Sequence, residues 1–282
     1  MAIPDLRPSP IAGQWYEGNP KALAHSVDQY LDAVALPALE GKVIGVIAPH
    51  AGHMYSGAVA GYAFAAVRGR TVDLVAVISP MHRPYTQPLI TTAHEGYSTP
   101  LGPVPVDHKI LTELDVILKS ELDFGLTPIA RDAEHSLEIE LPFLQRALSG
   151  DWKLLPVMVR AQDPEVSKGL GNALARVLSG KNFILVASTD LSHFYDQQTA
   201  LELDRVMLHE FESFSPDGVF AAEFSGKGFA CGHAAVTAVM WAARELGADT
   251  IKVLKHATSG DVTGDYSSVV GYGAAVILKR KT

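Results

Sequence analysis

Short, almost unbroken apolar runs are the feature that most restricts how this 282-residue chain can fold. Runs of Val, Ile and Leu without clean alternation are typical of strands covered on both faces. Two weaker strand candidates lie at 88–93 and 251–258. The runs that predict buried strands most clearly are "KVIGVIA" (42–48), "VDLVAVIS" (72–79), "WKLLPVMV" (152–159), "NFILVAS" (182–188) and "SVVGYGAAVIL" (268–278).

Amphipathic helical patterns separate these runs, and the alternation predicts an α/β fold with a largely parallel central sheet flanked by helices. The chain contains no linker-like segment, so we expect a single domain over residues 1–282. Segment 91–108 is interpreted as a surface excursion or hairpin, and Pro142 should kink or shorten the pattern in which it lies. The helical patterns cover residues 20–34, 107–120, 134–148, 165–180, 197–214 and 232–247.

Charge and composition exclude several classes of protein. The net charge is −8 and the basic residues are scattered, which argues against a nucleic-acid partner. The apolar runs stop well short of the roughly 18 residues that a membrane span needs. The N-terminus lacks a basic start followed by an apolar block, so we expect no secretory signal. One cysteine excludes an internal disulfide and favours the reducing cytoplasm.

Histidines follow three of the predicted strands. His50 follows the first, His82 follows the second, and Asp190 and His193 follow the strand at 182–188. Ligands of open α/β sheets bind beyond the carboxyl ends of the strands, so these side chains should face one crevice if their strands are neighbours. The only cysteine, Cys231, precedes a predicted helix, where backbone N–H groups favour a thiolate.

Two imidazoles and one thiolate form a three-ligand metal site with open positions for water, O₂ or substrate. We therefore predict that His50, His82 and Cys231 bind one transition-metal ion, with iron(II), copper(I) and zinc as candidates. Asp190 would orient an imidazole, and His193 would move protons to and from a substrate. Asp190 also fits the position of a helix N-cap, and the two roles are compatible.

Six blocks of sequence strongly resemble the Memo family, whose microbial members are named as protein B of the AmmeMemoRadiSam system. They occur in the family's order and extend from about residue 11 to the final strand. The blocks are "GQWYEG" (13–18), "IAPHAGHMYSG" (47–57), "SPMHRPY" (79–85), "EHSLEIELPFL" (134–144), "ASTDLSHFYD" (187–196) and "ACGHAAV" (230–236).

The resemblance implies a fold similar to class III extradiol ring-cleaving dioxygenases, whose iron is held by two His and a Glu. In Memo-type proteins the pocket offers His, His and Cys, which correspond here to His50, His82 and Cys231. Iron(II) is the first expectation for the metal, with copper or zinc as alternatives. Asp190 and His193 match the family's other two pocket residues.

Two further histidines belong to the matching blocks. His135 would line the pocket or brace the fold, and His53 stands where family members often carry Tyr. The resemblance also implies a shared pathway with a radical-SAM protein and an AMMECR-type protein, which are candidate partners of this chain.

Three functions remain open from the sequence. The first is a redox-active metalloprotein, oxygenase- or oxidase-like. The second is a metal-free hydrolase with Cys231 as nucleophile, His193 or His233 as base and Asp190 as orienting group. The third is a binding or scaffold protein whose pocket holds a small molecule or peptide segment without turnover.

Overall fold

The computed structural model describes residue 3 and residues 5–280 of the chain. Its strands agree with the predicted runs to within two residues at most ends, and they include short strands that the sequence pattern did not indicate. The strands are β1 (Leu6–Arg7), β2 (Lys42–Ala48), β3 (Leu74–Pro80), β4 (Leu89–Thr92), β5 (Gly96–Thr99), β6 (Gly102–Pro105), β7 (Thr127–Ile129), β8 (Lys153–Val159), β9 (Phe183–Ser188), β10 (His193–Tyr195), β11 (Thr250–Thr258) and β12 (Val269–Lys279).

Six helices occupy the predicted segments, and the helices at His53–Ala65 and Gly260–Thr263 lie outside them. Two further departures concern the pattern at 134–148 and the region after residue 214. The 134–148 pattern splits into a short 3-10 helix, Glu138–Glu140, and a helix that carries Pro142 in its first turn, where a missing N–H costs nothing. A nine-residue helix, α7, was not predicted. The helices are α1 (Pro20–Asp32), α2 (His53–Ala65), α3 (His108–Leu122), α4 (Leu141–Ala147), α5 (Pro164–Leu178), α6 (Gln197–Glu212), α7 (Pro216–Phe224), α8 (His233–Glu245) and α9 (Gly260–Thr263).

The main sheet is mixed, with a parallel centre. Strands β2, β9, β3 and β8 lie side by side in this order and all run parallel. Antiparallel strands flank them, with β12 beside β2 and β4 beside β8. The predicted α/β architecture with a central sheet flanked by helices is therefore confirmed, and parallel pairing is concentrated at its centre. The carboxyl ends of β2, β9 and β3 consequently meet at one edge.

Helices cover the central strands, as the near-continuous apolar runs require. Helix α8 packs on β2, β3, β8 and β9, while α2 packs on β2, β11 and β12. One apolar core extends through the described residues from Ile11 to Leu278. Segment 91–108 contains the predicted hairpin, formed by β5 and β6.

The N-terminal segment is tied to the loop before the 3-10 helix by a buried arginine. Arg7 lies on β1, is 1% exposed, and donates to both carboxylate oxygens of Asp132 and to the carbonyl of Glu134. A further bond joins its guanidinium to the Glu138 carboxylate. Each guanidinium nitrogen of Arg7 has an acceptor, as a buried charge requires, so Arg7 anchors the loop before the 3-10 helix.

None of the helices in the described part of the chain is both long and apolar enough to cross a membrane.

Candidate metal centre

Three histidine rings meet beyond the carboxyl ends of the central strands. His50 and His82 follow β2 and β3, as predicted, and His135 enters from the loop before the 3-10 helix. Their ring centroids lie 5.0–5.5 Å apart, and one ring nitrogen of each lies within 4.8 Å of the others. From the sequence, His135 was expected either to line the pocket or to brace the fold. The structure places it with His50 and His82 as a candidate metal ligand.

Cys231 lies at the same place. Its Sγ atom is 3.2 Å from His50 Nε2, although Cys231 is not part of the mutually close set formed by the three histidines among the described residues. The following residue allows this approach, because a Cβ on Gly232 would lie 2.3 Å from the Ser188 carbonyl oxygen. Of the three residues expected to converge, His50 thus lies close to both His82 and Cys231.

The Cys231 thiol keeps its proton in this environment. Burial, followed by the nearby Asp190 carboxyl group, raises its pKa well above the usual range. The N-terminus of α8 does not outweigh this desolvation, contrary to the thiolate expected from sequence. A bound cation would supply the missing positive charge, since metal binding deprotonates a coordinating thiol.

Glu134 orients two of the histidines. Its carboxylate accepts from the His82 backbone N–H at 2.7 Å and lies 2.9 Å from His82 Nδ1, and it also accepts from the backbone of His135 at 2.9 Å. Burial would raise its pKa, but the His82 hydrogen bond and the backbone donors leave it well below the usual range. Glu134 is therefore ionised, His82 Nδ1 donates to it, and His82 Nε2 is left as the donor atom for a metal.

The Nδ1 atom of His50 is fixed by a different set of hydrogen bonds, centred on Ser188. Ser188 Oγ lies within hydrogen-bonding distance of His50 Nδ1 (2.9 Å), the Ser136 carbonyl oxygen (2.7 Å) and Glu140 Oε1 (2.7 Å). A carbonyl only accepts and a hydroxyl has one proton, so Ser188 donates to Ser136. All three contacts are then satisfied when His50 Nδ1 and a protonated Glu140 both donate to Ser188.

This assignment agrees with the environment of Glu140. The side chain is 1% exposed, and burial raises its pKa well above the usual range. His50 Nε2 consequently carries the free lone pair that faces Cys231. Burial and the neighbouring imidazoles also lower the pKa of His50 well below the usual range, and burial lowers that of His135 to about 4. Both rings are neutral near pH 7, as ligands must be.

Asp190 and His193 lie beside the cluster but do not pair with each other among the described contacts. Asp190 Oδ1 accepts from the His50 backbone at 2.7 Å, and burial raises the pKa of the carboxyl group to about 7. His193 Nδ1 donates to the Leu191 carbonyl at 2.7 Å, which leaves Nε2 without a proton. Burial lowers its pKa, and the neighbouring His82 lowers it further.

His53 and His233 occupy structural positions. His53 Nε2 donates to the Ile139 carbonyl at 3.1 Å and the ring packs against Phe143, so this residue braces the 3-10 helix and α4, which follow the loop of His135. His233 begins α8 and its Nδ1 donates to the Ala230 carbonyl at 2.9 Å. Sequence reasoning missed Glu134 and Glu140, although both belong to the quoted "EHSLEIE" block.

A family model described as Memo-like protein matches residues 7–276. A MEMO1 family protein of Nitrosopumilus maritimus is 32% identical over 273 residues, covering 95% of this chain and 98% of that protein. One from Methanococcoides burtonii is 34% identical over 276 residues, covering 97% of this chain and 100% of that protein. The likeness extends over nearly the whole chain, including every element that contributes to the histidine cluster.

Replacement of Glu140 tests its protonation. Glu140→Gln keeps a donor toward Ser188 and should change the free energy of unfolding by less than about 1 kcal/mol. Glu140→Ala leaves a cavity and an unpaired hydroxyl, and should cost about 2–4 kcal/mol. Urea denaturation of metal-free protein measures both, with the exposed Glu202→Gln as control. Equal, large losses in the Gln and Ala variants would mean that Glu140 is ionised.

His53 should make the fold sensitive to acid. Burial lowers its pKa to about 4, whereas an unfolded chain protonates histidine below about 6.5, so stability is lost as the pH falls from 6.5 toward 4. Between pH 7 and pH 5 this residue should account for about 2 kcal/mol of that loss. In His53→Gln, urea denaturation at the two pH values should show a difference smaller by this amount. His25→Gln, on α1, should leave the difference unchanged; an unchanged difference in His53→Gln would contradict the assignment.

Proposed function

The chain belongs to the Memo-like protein family, and we propose that it binds one transition-metal ion at the cluster of His50, His82 and His135. The observation that carries the proposal is the mutual approach of three ring nitrogens within 4.8 Å. Three imidazole nitrogens that approach one another this closely are typical of ligands to one ion.

The residues present fit a metal ion. The Nδ1 atoms of His50 and His82 are hydrogen-bonded to Ser188 and Glu134, so that Nε2 of each ring is free to coordinate. Cys231, 3.2 Å from His50 Nε2, offers an anionic donor when a cation displaces its proton. Mixed nitrogen and sulfur donors suit iron, copper and zinc. We propose iron(II) as the resident metal, with copper or zinc as alternatives.

Iron or copper at this place would supply one-electron redox chemistry, and we propose an oxidoreductase, dioxygenase-like role on that basis. The chain's own residues would handle protons beside it. Asp190, with a pKa of about 7, holds or releases a proton at its carboxyl group near neutral pH. His193 Nε2 lacks a proton and accepts one from a bound substrate.

Fewer observations support the two other functions, a Cys-dependent hydrolase and a scaffold protein. The contact between Cys231 and His50 has the form of a thiol–imidazole pair, which favours a Cys-dependent hydrolase, but the raised pKa of the thiol opposes nucleophilic attack. A scaffold role with radical-SAM and AMMECR-type partners stays a prediction. So does the cytoplasmic location, for which the single cysteine is the support.

Metal analysis of anaerobically purified protein tests the proposal. We expect about one equivalent of iron, copper or zinc in the wild type, a loss of at least about tenfold in affinity in His82→Ala and His135→Ala, and no loss in the control His25→Ala. Cobalt(II) titration followed by absorption separates the donor sets, because the thiolate-to-cobalt band disappears in Cys231→Ser if the sulfur coordinates. Wild-type protein that binds none of these ions without oxygen would refute the function.

A further inference from the structure

A cavity of about 470 Å³ opens beside the histidine cluster, within the size range of small-molecule sites. Its walls come from the N-terminal segment, the start of α2, β10, the region of α9, the loop before β12 and β12 itself. Four of the side chains that line it are aromatic: Trp15, Tyr55, Phe194 and Tyr272.

The cavity adjoins the proposed metal centre through its own walls. The Trp15 ring lies 4.1 Å from the His135 ring, measured between centroids. Ala51, also on the wall, directly follows His50. The Phe194 ring is 5.7 Å from that of His193, the proposed proton acceptor. A molecule in this cavity therefore contacts residues that touch three of the site histidines.

Phe194 lies at an irregularity in the pairing of β10 with β12, between His193 and Tyr195, and its backbone is left-handed there. Its φ is 64°, in the left-handed region that bulky side chains avoid, and 75% of the residue is exposed. Burial of the ring in the core does not offset this strain. Strained residues of this kind cluster at ligand sites, and here the strain places an aromatic ring at the mouth of the cavity.

The charge of the cavity is one-sided. Among the described residues that line it, Asp265 is the one charged side chain. Two hydrogen bonds from Ser267 both go to Asp265 Oδ1, so Oδ2 retains its capacity to accept. An anionic ligand would meet a carboxylate and no basic group, whereas a protonated amine would gain aromatic faces and a solvent-exposed ion pair with Asp265.

We propose that this cavity binds a small aromatic amine, with its ring against Trp15, Tyr55 and Phe194 and its ammonium group toward Asp265. That this amine is the substrate of the metal centre would rest on the proposed function. That the amine binds in the cavity does not rest on it. The occupant is thus distinguished from carboxylated and phosphorylated aromatics by charge and from alkyl amines by its ring.

Four ligands of similar size test the two recognition elements on metal-free protein. Phenethylamine, phenethyl alcohol, 3-phenylpropionate and 2-cyclohexylethylamine are compared by ligand-observed NMR, up to about 10 mM. Phenethylamine should bind most tightly, and the carboxylate and the cyclohexyl compound should each bind at least about threefold more weakly. Equal or tighter binding of 3-phenylpropionate, or no binding of phenethylamine, overturns the proposal.

Variants assign the binding to this cavity. Asp265→Asn should remove the preference for phenethylamine over phenethyl alcohol, a change of about two- to fivefold. Phe194→Leu should weaken the aromatic ligands by a similar factor and leave 2-cyclohexylethylamine unaffected. Asp217→Asn and Phe224→Leu, on α7 and outside the cavity, are the matched controls. Unchanged affinities in both cavity variants would refute the assignment.

The outcome is independent of the metal. Phenethylamine bound to a protein that takes up no iron, copper or zinc would reject the proposed function and keep the cavity assignment. Metal bound at one equivalent, with no discrimination among the four ligands, would do the reverse.

Discussion

The candidate site depends on one buried carboxylate, that of Glu134. Taking a carboxylate out of water is costly unless several donors replace the water. Here the donors are the backbone and ring N–H groups of His82 and the backbone N–H groups of His135 and Ser136. The same contacts that keep the charge buried therefore tie the loop of His135 to the end of β3, and they fix which nitrogen of His82 faces the cluster.

The two histidines at the strand ends, His50 and His82, have different hydrogen-bond partners, and these partners set the charge of the site. His82 is hydrogen-bonded to an ionised Glu134. His50 is hydrogen-bonded to the Ser188 hydroxyl, which in turn contacts a neutral Glu140. Beside them, burial raises the pKa of both Asp190 and Cys231, so these groups resist ionisation when no cation is near. A bound cation reverses that preference, because its charge stabilises the anions. Uptake of a metal ion would consequently release protons from Cys231 and from the protonated fraction of Asp190.

The sequence predicted the parts of the site that follow regular strands. His50, His82 and Asp190 were located from apolar runs, since the ends of neighbouring parallel strands meet at one edge of a sheet. It did not decide the role of His135 or reveal Glu134, because both lie in an irregular loop whose position is set by tertiary contacts. Phe194 was also missed, since a left-handed aromatic residue leaves no signal in hydrophobic periodicity. Helix α7 escaped because its nine residues show little amphipathic contrast.

That loop is in turn positioned from the far N-terminal end of the described chain. Arg7 binds the Asp132 carboxylate and the Glu134 carbonyl, and Trp15, eight residues later, packs on the His135 ring. Without Arg7, Asp132 would be a buried carboxylate without its main partner, and the loop would lose contacts that support the bonds between Glu134 and His82. The position of His135 beside His50 and His82 is therefore supported by contacts from the first strand and the segment that follows it. The donor set is a property of the completed fold, and no local segment of the chain contains it.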